Sequence, residues 1–225
     1  MAVVTDRVYE EGGLVRRHGS VELVEHWVLA LSGLILLASG LLELPLGRRY
    51  YVTEIPGVTW AGDFFVVLYI HYAAAILFVA VAFFHLFYHG LLGHNGLIPR
   101  RGDLKAAIVV IKSLIGKAEE PPFHKYLPEQ RIAYAGMAFI IAMLIFSGLV
   151  KTYDNLVNPQ LPYILALTAT WVHNVFSLFF FLTFLVHVTA LAIRPNRPLI
   201  RGIFTGFVRL DYVHDRHKLW LNDIS

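Results

Sequence analysis

A chain of 225 residues with 57% hydrophobic and 16% charged side chains is too apolar for an ordinary soluble domain, where charge runs near 25%. The composition excludes disorder, collagen and a multidomain soluble enzyme. The absence of cysteine excludes disulfides, cysteine-ligated iron–sulfur clusters, zinc knuckles and covalently attached c-type haem.

Apolar runs of about 20 residues read as membrane spans, and four occur here, at about 25–44, 63–87, 131–151 and 163–193. The expected fold is all-α, a polytopic bundle of four transmembrane helices forming one membrane domain over 1–225. The first run follows a charged leader and is too long for a signal-peptide core, so it is expected to persist as a helix. The last is long for a bilayer and is expected to tilt or to start outside the hydrocarbon.

Lys and Arg set the orientation. Sixteen of the nineteen fall in the leader, in the loop between the second and third spans (including Lys125 and Arg131) and in the C-terminal tail. Arg48, Arg49 and Lys151 lie in the other two loops. Both termini and the long loop are therefore expected in the cytoplasm, with the chain multi-pass in the inner membrane. The basic balance, a net charge of +3, reflects this bias, and no nucleic-acid partner is expected. Two basic-side segments look interfacial. One is 104–117, which puts Leu104, Ala107, Ile108, Ile111 and Ile115 on one helical face; the other is 199–213.

Of eleven histidines, five fall in or beside the spans: His26, His71, His85, His173 and His187. Ionisable groups there are costly and usually functional. The remaining six are expected to be surface residues near headgroups. His173 and His187 are 14 residues apart, about 40° short of four full turns and roughly 21 Å along the axis. They share a face at two depths, as two cofactors stacked across the membrane would require. Zinc or copper would gather its ligands around one point instead. A bis-histidine haem needs a second ligand from another helix at equal depth. His71 matches His173 near the outer end, and His26 matches His187 near the inner end. His85 competes with His26, being also 14 residues from His71, and spacing leaves the two open. Small residues that a flat haem would need beside it occur at Ser32-Gly33, Ser39-Gly40, Ala73–Ala75, Gly136 and Ser147-Gly148.

Four stretches, taken in order, carry a resemblance over nearly the whole chain. They are Glu25-His26-Trp27 before a helix ending Ala38-Ser39-Gly40, and Tyr69-Ile70-His71 opening the second span. The third is Lys125-Tyr126 with Gln130-Arg131 before a span ending Phe146-Ser147-Gly148-Leu149-Val150, and the fourth is His173 with His187. The chain resembles the di-haem cytochrome b (gamma) subunit of membrane-bound formate dehydrogenases and its relatives in Ni/Fe-hydrogenases and thiosulfate reductases. The resemblance implies two b haems, the inner on His26 and His187 and the outer on His71 and His173, with His85 the alternative ligand. It implies a quinone site, for menaquinone or ubiquinone, near the start of the third span, where Tyr126 and Gln130 are candidate contacts. The asparagine that the family carries after Lys-Tyr is Leu127 here. It also implies an Fe–S electron-transfer subunit and a catalytic subunit, molybdenum/tungsten or Ni/Fe, as partners beside the lipid bilayer. The expected function is electron transfer from the Fe–S partner through both haems to the quinone pool, or in reverse from quinol. The alternatives are a stand-alone cytochrome b561-like reductase and a hydrogenase cytochrome b. Arg16, Arg17, Lys125 and Arg194 on the inner side, and Arg48, Arg49 and Lys151 on the outer, are candidate partners of the haem propionates.

Overall fold

A computed structural model describes residues 7–9, 12–44, 51–114, 116–117, 119, 121–157 and 159–224. Arg48, Arg49 and Ile115 lie outside the described residues. The chain divides into two compact units, Ser20–Leu92 and Met1–Gly19 with Gly93–Ser225. Among the described residues, four helices are long and apolar enough to cross a membrane, and the architecture is all-α and polytopic.

The first unit is a hairpin of α1 (Ser20–Glu43) and α2 (Phe64–Leu91). Asp63 caps α2, its carboxylate accepting from the backbone N–H of Phe65 at 2.9 Å and of Val66 at 3.2 Å. This satisfies two of the donors that a helix start leaves unpaired. Small side chains on α1 are drawn inward: Ser32, Gly33 and Ser39 are buried. Most large apolar side chains of both helices face outward, among them Leu31, Ile35, Ile76 and Leu77. This inverted pattern suits a helix pair whose outer solvent is lipid.

The second unit holds the other spanning pair, α4 (Pro128–Leu156) and α5 (Tyr163–Ala192). Pro128 stands in the first turn of α4, where its missing N–H costs nothing. The Gln130 carboxamide oxygen accepts from the Leu127 N–H at 3.1 Å. The predicted start at 131 is thus three residues late. At 1.5 Å per residue the 30 residues of α5 run about 45 Å, longer than the hydrocarbon. The helix stops before Arg194-Pro195, and the Asn196 and Arg197 side chains donate to the terminal carbonyls of Ala190 and Ala192 at 3.0 and 3.1 Å.

Around this pair the leader, the long loop and the tail fold together into a polar cap. Strands β1 (Arg7–Tyr9), β2 (Leu14–Arg16) and β3 (Phe207–Arg209) form a small antiparallel sheet in that order, with Val15 opposite Val208. Behind it follow α7 (Leu210–Arg216) and α8 (Lys218–Ile224). Val15, Val208, Val213 and Trp220 make a buried core. The sheet and this core depart from the single interfacial helix expected over 199–213. Gly206, at φ +80°, ends α6 (Pro198–Thr205) in a left-handed conformation that a side chain would resist, and the chain turns into β3. Segment 104–117 does begin as a helix, α3 (Asp103–Leu114). It buries Ala107 and Val110 and leaves Leu104, Ile108 and Ile111 exposed.

Three basic segments, far apart in sequence, are one folded body. Phe123 accepts from the backbone N–H groups of Leu219 and Trp220 at 3.1 and 3.3 Å, and Arg17 donates through its backbone to Gly206 at 2.8 Å. This fits the charge bias that places them on one side of a membrane.

Candidate haem site

The two spanning pairs carry the same local device. In the first unit Ser39, on α1, stands with its Oγ 2.8 Å from Nδ1 of His71, on α2. In the second, Ser147 of α4 stands with its Oγ 3.0 Å from Nδ1 of His173, on α5. Each serine also lies over the carbonyl four residues back, Ile35 at 2.7 Å and Met143 at 2.6 Å. A carbonyl only accepts, so each hydroxyl hydrogen is committed to it. The serine oxygen then accepts from the imidazole. Nδ1 is therefore the protonated nitrogen of both rings, and Nε2 carries the lone pair. A histidine ligand to haem iron needs that tautomer, held by a hydrogen bond on the far nitrogen.

Beside each serine is a glycine that gives the ring room. A Cβ at Gly40 would meet His71 Cε1 at 3.7 Å, an ordinary contact. One at Gly148 would meet His173 Cε1 at 3.3 Å, closer than packing normally allows. The Ser-Gly motifs thus serve the histidines directly. Each of the two imidazoles, taken by itself within its own hairpin, thus has the tautomer and the clearance that ligation of a b-type haem requires. Beyond the backbone of its own helix, Gly136 has no described atom within 4 Å of where a Cβ would stand.

The remaining sequence-predicted residues fall as follows. His26, on α1, is half-buried with its ring edge-on to Trp27 at 5.3 Å. His187, on α5, is exposed within the chain. His85 points Nδ1 at the carboxylate of Glu25, 3.1 Å away. Glu25 is buried and receives His89 on the same oxygen at 2.9 Å. Neither contact is expected from the sequence, in which His89 is one of the surface histidines and Glu25 belongs to the Glu25-His26-Trp27 stretch.

Tyr126 and Gln130 flank an ion pair that organises the loop. The Arg131 guanidinium donates to both carboxylate oxygens of Asp103, at 2.8 and 2.6 Å, and to the Tyr126 carbonyl at 2.8 Å. Both charged groups are buried. Bonding to Arg131, opposed by burial, holds the Asp103 carboxyl down at about 2. The Tyr126 ring lies under the Arg17 guanidinium at 5.5 Å and the Lys125 ammonium at 5.5 Å. Arg17 also stacks on Trp220 at 5.3 Å and donates to the Lys125 carbonyl at 2.5 Å. Two of the expected propionate cations are thus engaged in the cap.

His217 was also expected at the surface. It is fully buried, with Nδ1 donating to the His124 carbonyl at 2.7 Å and Nε2 accepting from the Tyr212 hydroxyl at 3.1 Å. Burial, with Arg17 nearby, pushes its pKa down to about 3, so it is neutral.

No curated protein matches the chain. Residues 17–206 match the model of the prokaryotic cytochrome b561 family, which also covers the cytochrome b subunits of Ni/Fe hydrogenases and related complexes. The match spans all four apolar helices and both serine–histidine pairs, and the chain belongs to the prokaryotic cytochrome b561 family as a membrane cytochrome b that binds haem b and transfers electrons.

Proposed function

We propose that the chain is the membrane-anchor cytochrome b subunit of a respiratory oxidoreductase complex like formate dehydrogenase. It moves electrons from an Fe–S partner through two b haems to the quinone pool. His71 and His173 ligate the outer haem, and His26 and His187 the inner. The observation that carries the reading is the repeated Ser–His pair, which sets the ligating tautomer on both spanning hairpins. The fourteen-residue spacing between His173 and His187 supports the second haem.

Haem b supplies a reversible one-electron store at each position. The protein's own work is placement. Ser39 and Ser147 hold the imidazoles in the ligating tautomer. Gly40 and Gly148 leave the rings their room. Asp103 and Arg131 fix the loop that presents Tyr126, whose phenol is a hydrogen-bond donor for a quinone oxygen, with Gln130 in the first turn of α4. The cap of leader, loop and tail stands on the cytoplasmic side, where protons for quinone reduction are taken up. The chain acts as one membrane domain, and the catalytic partner is a molybdenum/tungsten or Ni/Fe enzyme.

One observation favours the stand-alone b561-like reading. His85 also donates through one nitrogen to an acceptor, Glu25, and so has the ligand-like tautomer. Haem quantification in two variants separates the readings. The proposal expects His26→Ala to lose one haem and His85→Ala to keep both. The reverse result would transfer the inner ligand to His85.

A further inference from the structure

Glu25, His85 and His89 form a cluster that ligation of haem by His26 and His71 does not use. His85 and His89 are one turn apart on α2, so their rings stand on the same face, with centroids 4.5 Å apart. Glu25 reaches them from α1. Its Oε2 lies 3.1 Å from His85 Nδ1 and 2.9 Å from His89 Nε2, and the three donor atoms all fall within 4.8 Å of one another. The carboxylate is 4% exposed, while His85 and His89 are 28% and 16% exposed. The floor is buried and the rim is open to an ion.

The second carboxylate oxygen, Oε1, is buried and has no hydrogen-bond partner among the described residues. A carboxylate withdrawn from water needs compensation on both oxygens, and two imidazole N–H groups on Oε2 compensate one.

We propose that Glu25, His85 and His89 bind a divalent first-row transition cation, with zinc the best match. Two histidines at i and i+4 on one helix are a standard chelating pair, and a carboxylate from a neighbour completes a three-ligand site with a fourth position for water. Ligand bonds of about 2.0–2.1 Å in a tetrahedron require donor atoms roughly 3.3 Å apart. The separations to Oε2 need to open by only a few tenths of an ångström. Binding displaces the protons on the two facing nitrogens and places a cation beside Oε1. The site is distinct from both haem ligand pairs. It rests on the reading in which His26, not His85, ligates the inner haem.

The test uses the full haem-loaded chain in detergent, with Zn²⁺ alone as the probe. The expected result is one zinc per chain, with zinc-edge X-ray absorption showing a first shell of nitrogen and oxygen and outer scattering from two imidazoles. Glu25→Gln and His89→Gln each lower the affinity at least tenfold with haem content and the reduced spectrum unchanged. His89→Gln keeps an N–H for Glu25, so folding and metal binding are separated, and intact haem content certifies the fold. Absence of binding at micromolar zinc, or binding unaffected by both variants, overturns the proposal. If His85→Ala removes a haem, the ligand assignment above has failed instead, and the zinc site falls with it.

Discussion

Ser147 accepts a hydrogen bond from His173 at 3.0 Å while donating its own proton to Met143 at 2.6 Å. The serine is therefore an acceptor by elimination, and the orientation of its hydroxyl decides which histidine nitrogen is left with a lone pair for a ligand. Ser39 stands in the same relation to His71. The same device thus recurs on both hairpins, and in the proposed pairing of His71 with His173 both serines act on one haem.

Removing the acceptor tests this. A hydrogen bond to Nδ1–H makes the ring a stronger donor and favours ferric iron. In Ser39→Ala or Ser147→Ala the haem is retained and its midpoint potential rises. A bond worth about 1 kcal/mol corresponds to tens of millivolts for a one-electron couple, at about 59 mV per tenfold. Redox titration should show one haem moving and the other unchanged.

The two glycines should respond unequally. Gly148→Ala brings a methyl to 3.3 Å from His173 and forces the ring or the helix to shift, whereas Gly40→Ala makes a 3.7 Å contact. Gly148→Ala is expected to lose roughly 1 kcal/mol or more by overpacking and to show reduced haem occupancy. Gly40→Ala should purify with its full complement. Pyridine hemochrome assays of both variants check the ranking.

The spans were legible in the sequence because an apolar run of bilayer length has few other uses. Their ends were legible unevenly: the second helix starts within one residue of the expected 63, whereas Pro128 begins α4 three residues before the apolar run, by a local first-turn geometry that hydropathy does not register. The 199–213 segment was misread for a related reason: Gly206 allows a left-handed turn that an apolar-periodicity count passes over. The histidines divide along similar lines. The Ser-Gly and histidine motifs were visible because each lies within one helix. The burial of His217 depends on a carbonyl 93 residues away, and the Glu25–His89 contact spans 64. A signal for the second did exist: an acidic residue at the head of a span and two histidines at i and i+4 near the end of the next.

Asp103 and Arg131 are both buried, so removing one strands the other's charge. Asp103→Asn is expected to destabilise the loop by ~3 kcal/mol and to expose residues 93–127 to protease. Haem content should persist and quinone-linked activity should fall, because Tyr126 is held through the same arginine. Limited proteolysis of the membrane-embedded protein gives the first readout.

The cap should loosen in acid. The pKa of His217 falls from its usual 6.5 to about 3 on folding, so the folded cap binds fewer protons than the unfolded one. Its contribution to stability is complete above 6.5 and is lost progressively as pH falls from 6.5 towards 3. Proteolysis of the tail followed against pH should rise through that window. His217→Asn, which keeps a donor for His124 without a titrating ring, should flatten the dependence.

The most direct test of the account is a reduced-minus-oxidised spectrum of the purified chain with haem quantified per polypeptide. The account predicts two b-type haems per chain, both low-spin. One haem per chain would contradict the His26–His187 assignment, and none would contradict the haem reading altogether.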